Sequence, residues 1–173
     1  MSLKDRLLHP EECLLLVIDF QERLVPAIPA CQELIARTRI LMIACERLGI
    51  PVVVSEQYPK GLGHTVPQLG QCLPPGAVVL EKTAFGCGAD PAIKAHLTAL
   101  NRSQVIICGI EAHVCVSQTV HQLLAEQLQV HVMRDAIGSR SPGDAETAMF
   151  KMQQSAAVPG CVEMALFELM GTA

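Results

Sequence analysis

The chain has 173 residues, which suits one domain built around a single hydrophobic core. Half of its residues are hydrophobic and 17% are charged, a balance that excludes an intrinsically disordered protein. The net charge is −4 without a basic cluster, and no apolar run approaches the roughly 18–20 residues of a membrane span, so the sequence predicts neither a nucleic-acid nor a membrane partner.

Short aliphatic runs alternate with segments of helical periodicity along the chain. The runs predict six β-strands, at positions 14–18, 52–54, 78–80, 105–108, 130–133 and, for a short last one, 156–158. Helices are predicted between them: one ends at Gly49, one begins at the N-cap Asp90 and runs to about Leu100, one covers 116–127, one opens at Ser141 with Asp144 placed for a capping box, and one covers 162–170.

Aliphatic strands separated by helices are typical of a parallel sheet that is covered on both faces. The sequence therefore predicts a single α/β domain over residues 1–173, doubly wound, with helices on both faces of the sheet. Residues 55–77 form a long, polar, Gly-rich connection. Because long connections with little structure usually carry function, we expect this one to contribute to a site.

The eight cysteines include no C-x-x-C pair, which excludes zinc-ribbon and thioredoxin-like sites. Most of them lie within apolar runs, as free cysteines of cytosolic cores do, so we expect a cytoplasmic protein in which one or two thiols at most are reactive. The charged N-terminus lacks a signal-peptide core, in keeping with that location. The mean hydropathy of +0.35 is high for a soluble chain and predicts a buried homo-oligomer interface.

Three chemically distinct side chains are expected at one edge of the sheet. Asp19 ends the first predicted strand, Lys82 follows the third, and Cys115 lies shortly after the fourth. Because ligands of open parallel sheets bind at the carboxyl ends of the strands, we predict that these groups meet there. Cys115 is expected at the N-terminus of a helix, where the helix dipole and the Lys82 ammonium would lower its pKa.

A carboxylate, an ammonium and a thiol in one place indicate nucleophilic catalysis. Cys115 would attack a carbonyl carbon, Asp19 would accept the thiol proton and return it to a leaving amine, and Lys82 would hold both anions in register. Backbone N–H groups near Cys115 would receive the oxyanion. The predicted reaction is hydrolysis of a small-molecule substrate, an amide or a related carbonyl C–N compound, through a thioester.

Several sequence motifs resemble those of the isochorismatase-like cysteine hydrolases. They are LVIDFQ at 16–21, EKTAF at 81–85, GIEAHVCV at 109–116 and DAIGSR at 135–140. The segment EQYPKGLG at 56–63 further resembles the subgroup called isochorismatase domain-containing proteins. The resemblance spans roughly residues 13–170. It implies a six-stranded parallel sheet with the strand order 3-2-1-4-5-6.

The resemblance also implies a set of site residues. Asp19, Lys82 and Cys115 match the family's catalytic triad. The Ile110–Glu111 peptide matches a non-proline cis bond, which would turn the Glu111 N–H, beside that of Cys115, into an oxyanion hole. Three further residues are predicted to bind the substrate: Gln21, Gln57 and Phe85.

The chain departs from the metal-dependent members of the family. Nicotinamidases carry a metal-binding Asp-x-His after the second strand, where this chain has Glu56-Gln57-Tyr58, and His64 stands alone. We therefore predict no zinc or iron and no cofactor, which makes nicotinamide a poor substrate candidate. True isochorismatases lack the nucleophilic cysteine, so Cys115 argues against that activity.

Three other functions stay open at this point. The same fold could hydrolyse the vinyl ether of an isochorismate-like compound, a reaction that needs no thiolate. The domain could be a non-catalytic, oligomeric binding protein with a vestigial pocket. A low-pKa thiol at Cys115 could also sense peroxide.

Overall fold

A six-stranded, all-parallel sheet forms the centre of the computed structural model, which describes residues 6–172. Its strands are β1 (Cys13–Ile18), β2 (Val52–Gln57), β3 (Val78–Lys82), β4 (Gln104–Ile110), β5 (Gln129–Gly138) and β6 (Val158–Gly160). They lie in the order β3-β2-β1-β4-β5-β6, which confirms the implied order. The order reverses between β1 and β4, and such a switch point is where open parallel sheets bind ligands.

Seven helices cover the sheet within the described residues: α1 (Cys31–Leu48), α2 (Pro59–Leu62), α3 (Pro67–Gly70), α4 (Pro91–Ala99), α5 (Ser117–Ala125), α6 (Pro142–Gln154) and α7 (Val162–Met170). Helices α1 and α7 pack on one face, and α4, α5 and α6 pack on the other. The doubly wound α/β prediction is thereby confirmed. No helix between residues 6 and 172 has the length and apolar character needed to cross a membrane.

Burial on both faces explains why β1 reads as a continuous aliphatic run. Leu15 and Val17 join the core under α1 and α7, whereas Leu14 and Leu16 join the core on the opposite face. All six residues of the strand are buried, so no position alternates with a polar one. The strand is thus held from both sides up to its carboxyl end, where Asp19 follows.

Two of the predicted helix boundaries are confirmed and one capping prediction is wrong. Gly49 ends α1 with a left-handed φ of 66°, and Asp90 Oδ1 accepts from the N–H groups at the start of α4. The predicted capping box at α6 does not form, because the Ser141 side chain makes no capping bond. Instead, the Asp144 N–H donates to the Ser141 carbonyl.

The strands extend beyond the aliphatic runs that predicted them. β5 continues to Gly138 although the exposed Arg134 interrupts its apolar pattern. The pairing of β4 with β5 shifts register between Ile107 and Gly109, so that Gly109 pairs with Ile137 and Ile110 with Gly138 at the carboxyl ends of the two strands. The connection at 55–77 is also more ordered than predicted, since it contains the end of β2 and the short helices α2 and α3.

Candidate active site

Asp19 and Lys82 form a buried ion pair at the carboxyl ends of β1 and β3. Lys82 Nζ donates to Asp19 Oδ2 at 2.7 Å, and both side chains are inaccessible to solvent. Asp19 adopts a left-handed φ of 56°, which ends β1 and turns the chain. The Asp19 carboxylate and the Lys82 ammonium therefore meet at this edge of the sheet, as predicted.

Every donor of the Lys82 ammonium is used inside the protein. Besides Asp19, Nζ donates to Gln57 Oε1 at 2.7 Å and to the Phe85 carbonyl at 2.9 Å. An ammonium group has three N–H donors, so none is left over for a substrate. Lys82 is predicted to hold both the Asp19 carboxylate and the Cys115 thiolate, but its hydrogen bonds reach Asp19, Gln57 and the Phe85 carbonyl. It therefore holds Asp19 in place and balances the charge of that carboxylate.

Ser55, in β2, completes the surroundings of Asp19 and was not among the predicted site residues. Its Oγ donates to Asp19 Oδ1 at 2.7 Å and Lys82 Nζ donates to Oδ2, so both carboxylate oxygens have a donor. Burial raises the pKa of Asp19, while Lys82 and the Ser55 hydroxyl act in the opposite direction. A serine after three valines, near the end of a fully buried strand, is a sequence signal for a polar role, but the partner of its hydroxyl depends on the strand register.

Cys115 lies beside this ion pair, in the single π-helical turn Ala112–Val116 that leads into α5. Its thiol interacts with the Asp19 carboxylate, and its Sγ is 4.0 Å from Gln57 Oε1. The residue is 6% exposed, so the thiol lies in a largely buried position.

The predicted lowering of the Cys115 pKa is wrong. Burial raises the pKa of the thiol to about 12, the negative charge of Asp19 adds to this, and the Lys82 ammonium opposes it. Burial and a neighbouring carboxylate thus outweigh the ammonium and the helix dipole. The thiol therefore keeps its proton at neutral pH, and a base must accept that proton before sulfur can attack.

The segment between β4 and Cys115 is anchored on both sides. The Ile110–Glu111 peptide bond is cis, as the resemblance implies. Glu111 Oε2 accepts from the backbone N–H and the Nε of Arg140, at 3.1 and 3.0 Å. His113 Nδ1 lies 2.9 Å from Ser139 Oγ, so this histidine is engaged away from the Cys115 thiol.

The three predicted substrate-binding residues occupy different settings. Gln21 is fully buried and bonds only to backbone: its Nε2 donates to the carbonyls of Gln57 and Gly63, and its Oε1 accepts the Gln57 N–H. The Gln57 side chain bridges two groups: its Oε1 accepts from Lys82 Nζ, and its Nε2 donates to the Thr83 carbonyl at 2.8 Å. The Phe85 side chain is 55% exposed. Gln21 therefore positions the connection after β2, and Gln57 is the member of this set beside the thiol.

The position of the nicotinamidase metal motif is occupied by an internal hydrogen-bond network. Glu56 Oε1 accepts from the N–H and the hydroxyl of Thr65, at 2.6 and 2.7 Å, and Oε2 lies 2.9 Å from His64 Nδ1. His64, the histidine without a second histidine beside it in the motif, pairs with Glu56. Within residues 6–172 no group of three or more His, Cys, Asp or Glu side chains is arranged to hold a metal ion. All eight cysteines are free.

Comparisons with known proteins agree with this architecture. The family model described as isochorismatase domain matches residues 13–164. The chain is 36% identical to isochorismatase domain-containing protein 2 of Danio rerio over 156 residues, which are 90% of this chain and 78% of that protein. It is 38% identical to the Bos taurus protein of the same name, covering 95% of this chain and 78% of the relative.

A solved structure with the same fold is that of MAR1 ribonuclease from Caenorhabditis elegans. It superimposes with a TM-score of 0.91 at 40% sequence identity, covering 95% of this chain and 84% of that one. The sequence match and the strand order lead to the same conclusion: the chain belongs to the isochorismatase domain family and has the fold of its hydrolases.

Proposed function

We propose that this protein hydrolyses a small amide, or a related carbonyl compound with a C–N bond, through a thioester on Cys115. The observation that supports this most is the placement of a buried thiol beside a carboxylate whose counter-ion is fixed at 2.7 Å. Such an arrangement can move one proton between sulfur and carboxylate without solvent. The 6% exposure of Cys115 favours a substrate of a few heavy atoms at the reacting end.

In the acylation step, Asp19 accepts the proton of the Cys115 thiol as sulfur attacks the carbonyl carbon. The carbonyl π electrons move onto oxygen, and we assign the N–H groups of Glu111 and Cys115 as the donors that receive this oxyanion. When the C=O bond re-forms, the C–N bond breaks and Asp19 returns the proton to the departing amine. The product of this step is an acyl thioester on Cys115.

In the deacylation step, water attacks the thioester and Asp19 accepts one of its protons. The C–S bond breaks, a carboxylic acid leaves, and the proton passes back to sulfur. Lys82 keeps its three bonds throughout and compensates the charge of Asp19 when that group is ionised. Gln57, held by Lys82, forms the wall beside the sulfur. The cycle uses no metal and no cofactor.

We propose further that the protein acts as a homo-oligomer in the cytoplasm. Several large apolar side chains are exposed on its helices, among them Phe150 on α6 at 65% and Phe167 on α7 at 66%. Static light scattering tests the assembly, and a monomeric mass would contradict it.

The test of the proposed reaction is a screen of small primary and secondary amides for release of ammonia or amine. We expect turnover by the wild-type protein and loss of it in Cys115→Ala. Cys161→Ala is the matched control, because Cys161 is also a free thiol. It lies between β6 and α7, at the edge of the sheet opposite β3 and Lys82. Full turnover by Cys115→Ala on a substrate of the wild type would overturn the mechanism.

RNA cleavage is the competing activity, because the similar Caenorhabditis elegans structure is named a ribonuclease. The net charge of −4 and the burial of Cys115 favour a small neutral substrate over a polyanion. Incubation with a labelled single-stranded RNA distinguishes the two. Cleavage that survives Cys115→Ala, without amide turnover, would favour the ribonuclease activity.

A further inference from the structure

Two hydrogen bonds join Ser55, in β2, to Asp19, which follows the neighbouring strand β1. Its position in β2 is paired with Ile18 in β1, and the Asp19 N–H donates to the Ser55 carbonyl at 3.1 Å. Its side chain then donates to Asp19 Oδ1 at 2.7 Å. Backbone and side chain of one residue thus fix both the place and the orientation of the carboxylate.

The direction of the hydroxyl proton follows from the available partners. Ser55 is fully buried, and a serine hydroxyl has one proton to donate. The Cys87 thiol is another group that interacts with Ser55, and it also interacts with the Thr119 hydroxyl. A thiol is a weak acceptor, whereas an ionised carboxylate is a strong one, so the Ser55 proton is given to Asp19.

This bond favours the ionised form of Asp19 over the protonated form. A carboxylic acid that already carries its proton cannot accept the proton of Cys115, so the site is active only where Asp19 is ionised. Burial works against ionisation, and the Lys82 ammonium alone reaches only Oδ2. Ser55 supplies the missing donor to Oδ1.

We propose that Ser55 is a positioning residue that keeps Asp19 ready to accept the Cys115 proton, a role that rests on the proposed function. Its loss would let Asp19 retain a proton up to a higher pH. One hydrogen bond to a charged group corresponds to a shift of about one pH unit in the acid limb of Cys115 reactivity. The thiol reactions of the other cysteines would keep their pH dependence.

The test is the rate of alkylation of Cys115 by iodoacetamide, measured between pH 5 and 9 by mass spectrometry of the Cys115 peptide. In the wild-type protein we expect an acid limb set by the ionisation of Asp19. In Asp19→Asn this limb is replaced by the slow, steady rise with pH that the ionisation of an isolated buried thiol gives. Ser55→Ala moves the limb upward by about one pH unit, and Ser55→Thr, which keeps the hydroxyl, returns it to the wild-type position. Ser55→Gly serves as a second hydroxyl-free variant if the alanine variant shows no cooperative thermal transition.

Thr119→Val is the matched control, because Thr119 is an equally buried hydroxyl that bonds the Cys115 carbonyl and the Cys87 N–H without touching Asp19. It is expected to leave the position of the limb unchanged. If the acid limb of the pH profile stays in place in Ser55→Ala, or moves equally in Thr119→Val, the proposed role of Ser55 is overturned while the proposed mechanism stands. A wild-type profile that does not depend on Asp19 overturns the proposed mechanism together with it.

Discussion

Replacing Lys82 by methionine is expected to destabilise the protein more than any surface charge substitution. The side chain is inaccessible, and its Nζ donates to Asp19, Gln57 and the Phe85 carbonyl. Methionine fills a similar volume but donates nothing, so the Asp19 carboxylate is left buried without a counter-ion. Removing one partner of a buried ion pair costs about 3–5 kcal/mol, and we expect the free energy of unfolding of Lys82→Met to fall by that amount at pH 8.

Urea denaturation of Lys82→Met, Asp19→Asn and the double variant measures the effect. Because both charges are gone in the double variant, its loss should be smaller than the sum of the single losses, by up to about 3 kcal/mol. The deficit of Lys82→Met should also shrink toward pH 5. Without the ammonium, the pKa of the buried Asp19 lies further above its unfolded value, so the folded state gains stability by binding a proton as the pH falls.

Lys94→Met provides the matched control, because Lys94 pairs with Glu126 on the surface, where its side chain is half exposed. An exposed pair of this kind contributes about 0–1 kcal/mol. If Lys82→Met were no more destabilising than Lys94→Met, the claim that Lys82 neutralises a buried carboxylate would be refuted.

Three other substitutions test the fold by urea denaturation. Burial, with the Arg6 charge, lowers the pKa of His131 to about 4, so the folded state takes up a proton at His131 less readily than the unfolded chain. The free energy of unfolding should therefore fall by up to about 3 kcal/mol between pH 6.5 and 4, and it should change less in His131→Leu. Equal pH dependence in the two proteins would contradict this assignment. Gly109→Ala would bring its Cβ to 2.5 Å from the Ile18 Cβ and 2.6 Å from the Ile18 carbonyl oxygen, so a loss of about 1–3 kcal/mol is expected beyond that of Gly76→Ala, where φ is also positive but the space is open. Asp90→Ala removes the cap of α4 and should cost about 1 kcal/mol, and an unchanged midpoint would show that the cap contributes nothing.

The sequence could predict the fold and the meeting of the main reactive groups for a simple physical reason. Strands buried on both faces appear as uninterrupted aliphatic runs, and parallel strands bring their carboxyl ends to one edge. Asp19 follows such a run and Lys82 ends the edge strand β3, whose aliphatic run is short and partly exposed, so their proximity depends only on the topology. β5 was underestimated because Arg134 points to solvent from within the strand, which a search for apolar runs reads as an end.

Properties that depend on several neighbours at once could not be predicted in this way. The direction of the Cys115 pKa results from burial and Asp19 competing with Lys82, and a sequence gives no measure of burial at a strand end. Ser55 could not be assigned because the register of β2 against β1 decides whether its hydroxyl faces Asp19. The bonds of Gln21 to the backbone of Gln57 and Gly63 could not be predicted either, because they depend on the path of the connection after β2.

Acid-quench mass spectrometry of the Cys115 peptide during turnover of a small amide tests the central claim most directly. The account predicts a mass increase equal to the acyl part of the substrate, confined to the peptide that holds Cys115 and removed by hydroxylamine. Asp19→Asn should form this species much more slowly, because no base accepts the thiol proton. Sustained amide turnover while the Cys115 peptide keeps its unmodified mass at every quench time would contradict the thioester mechanism.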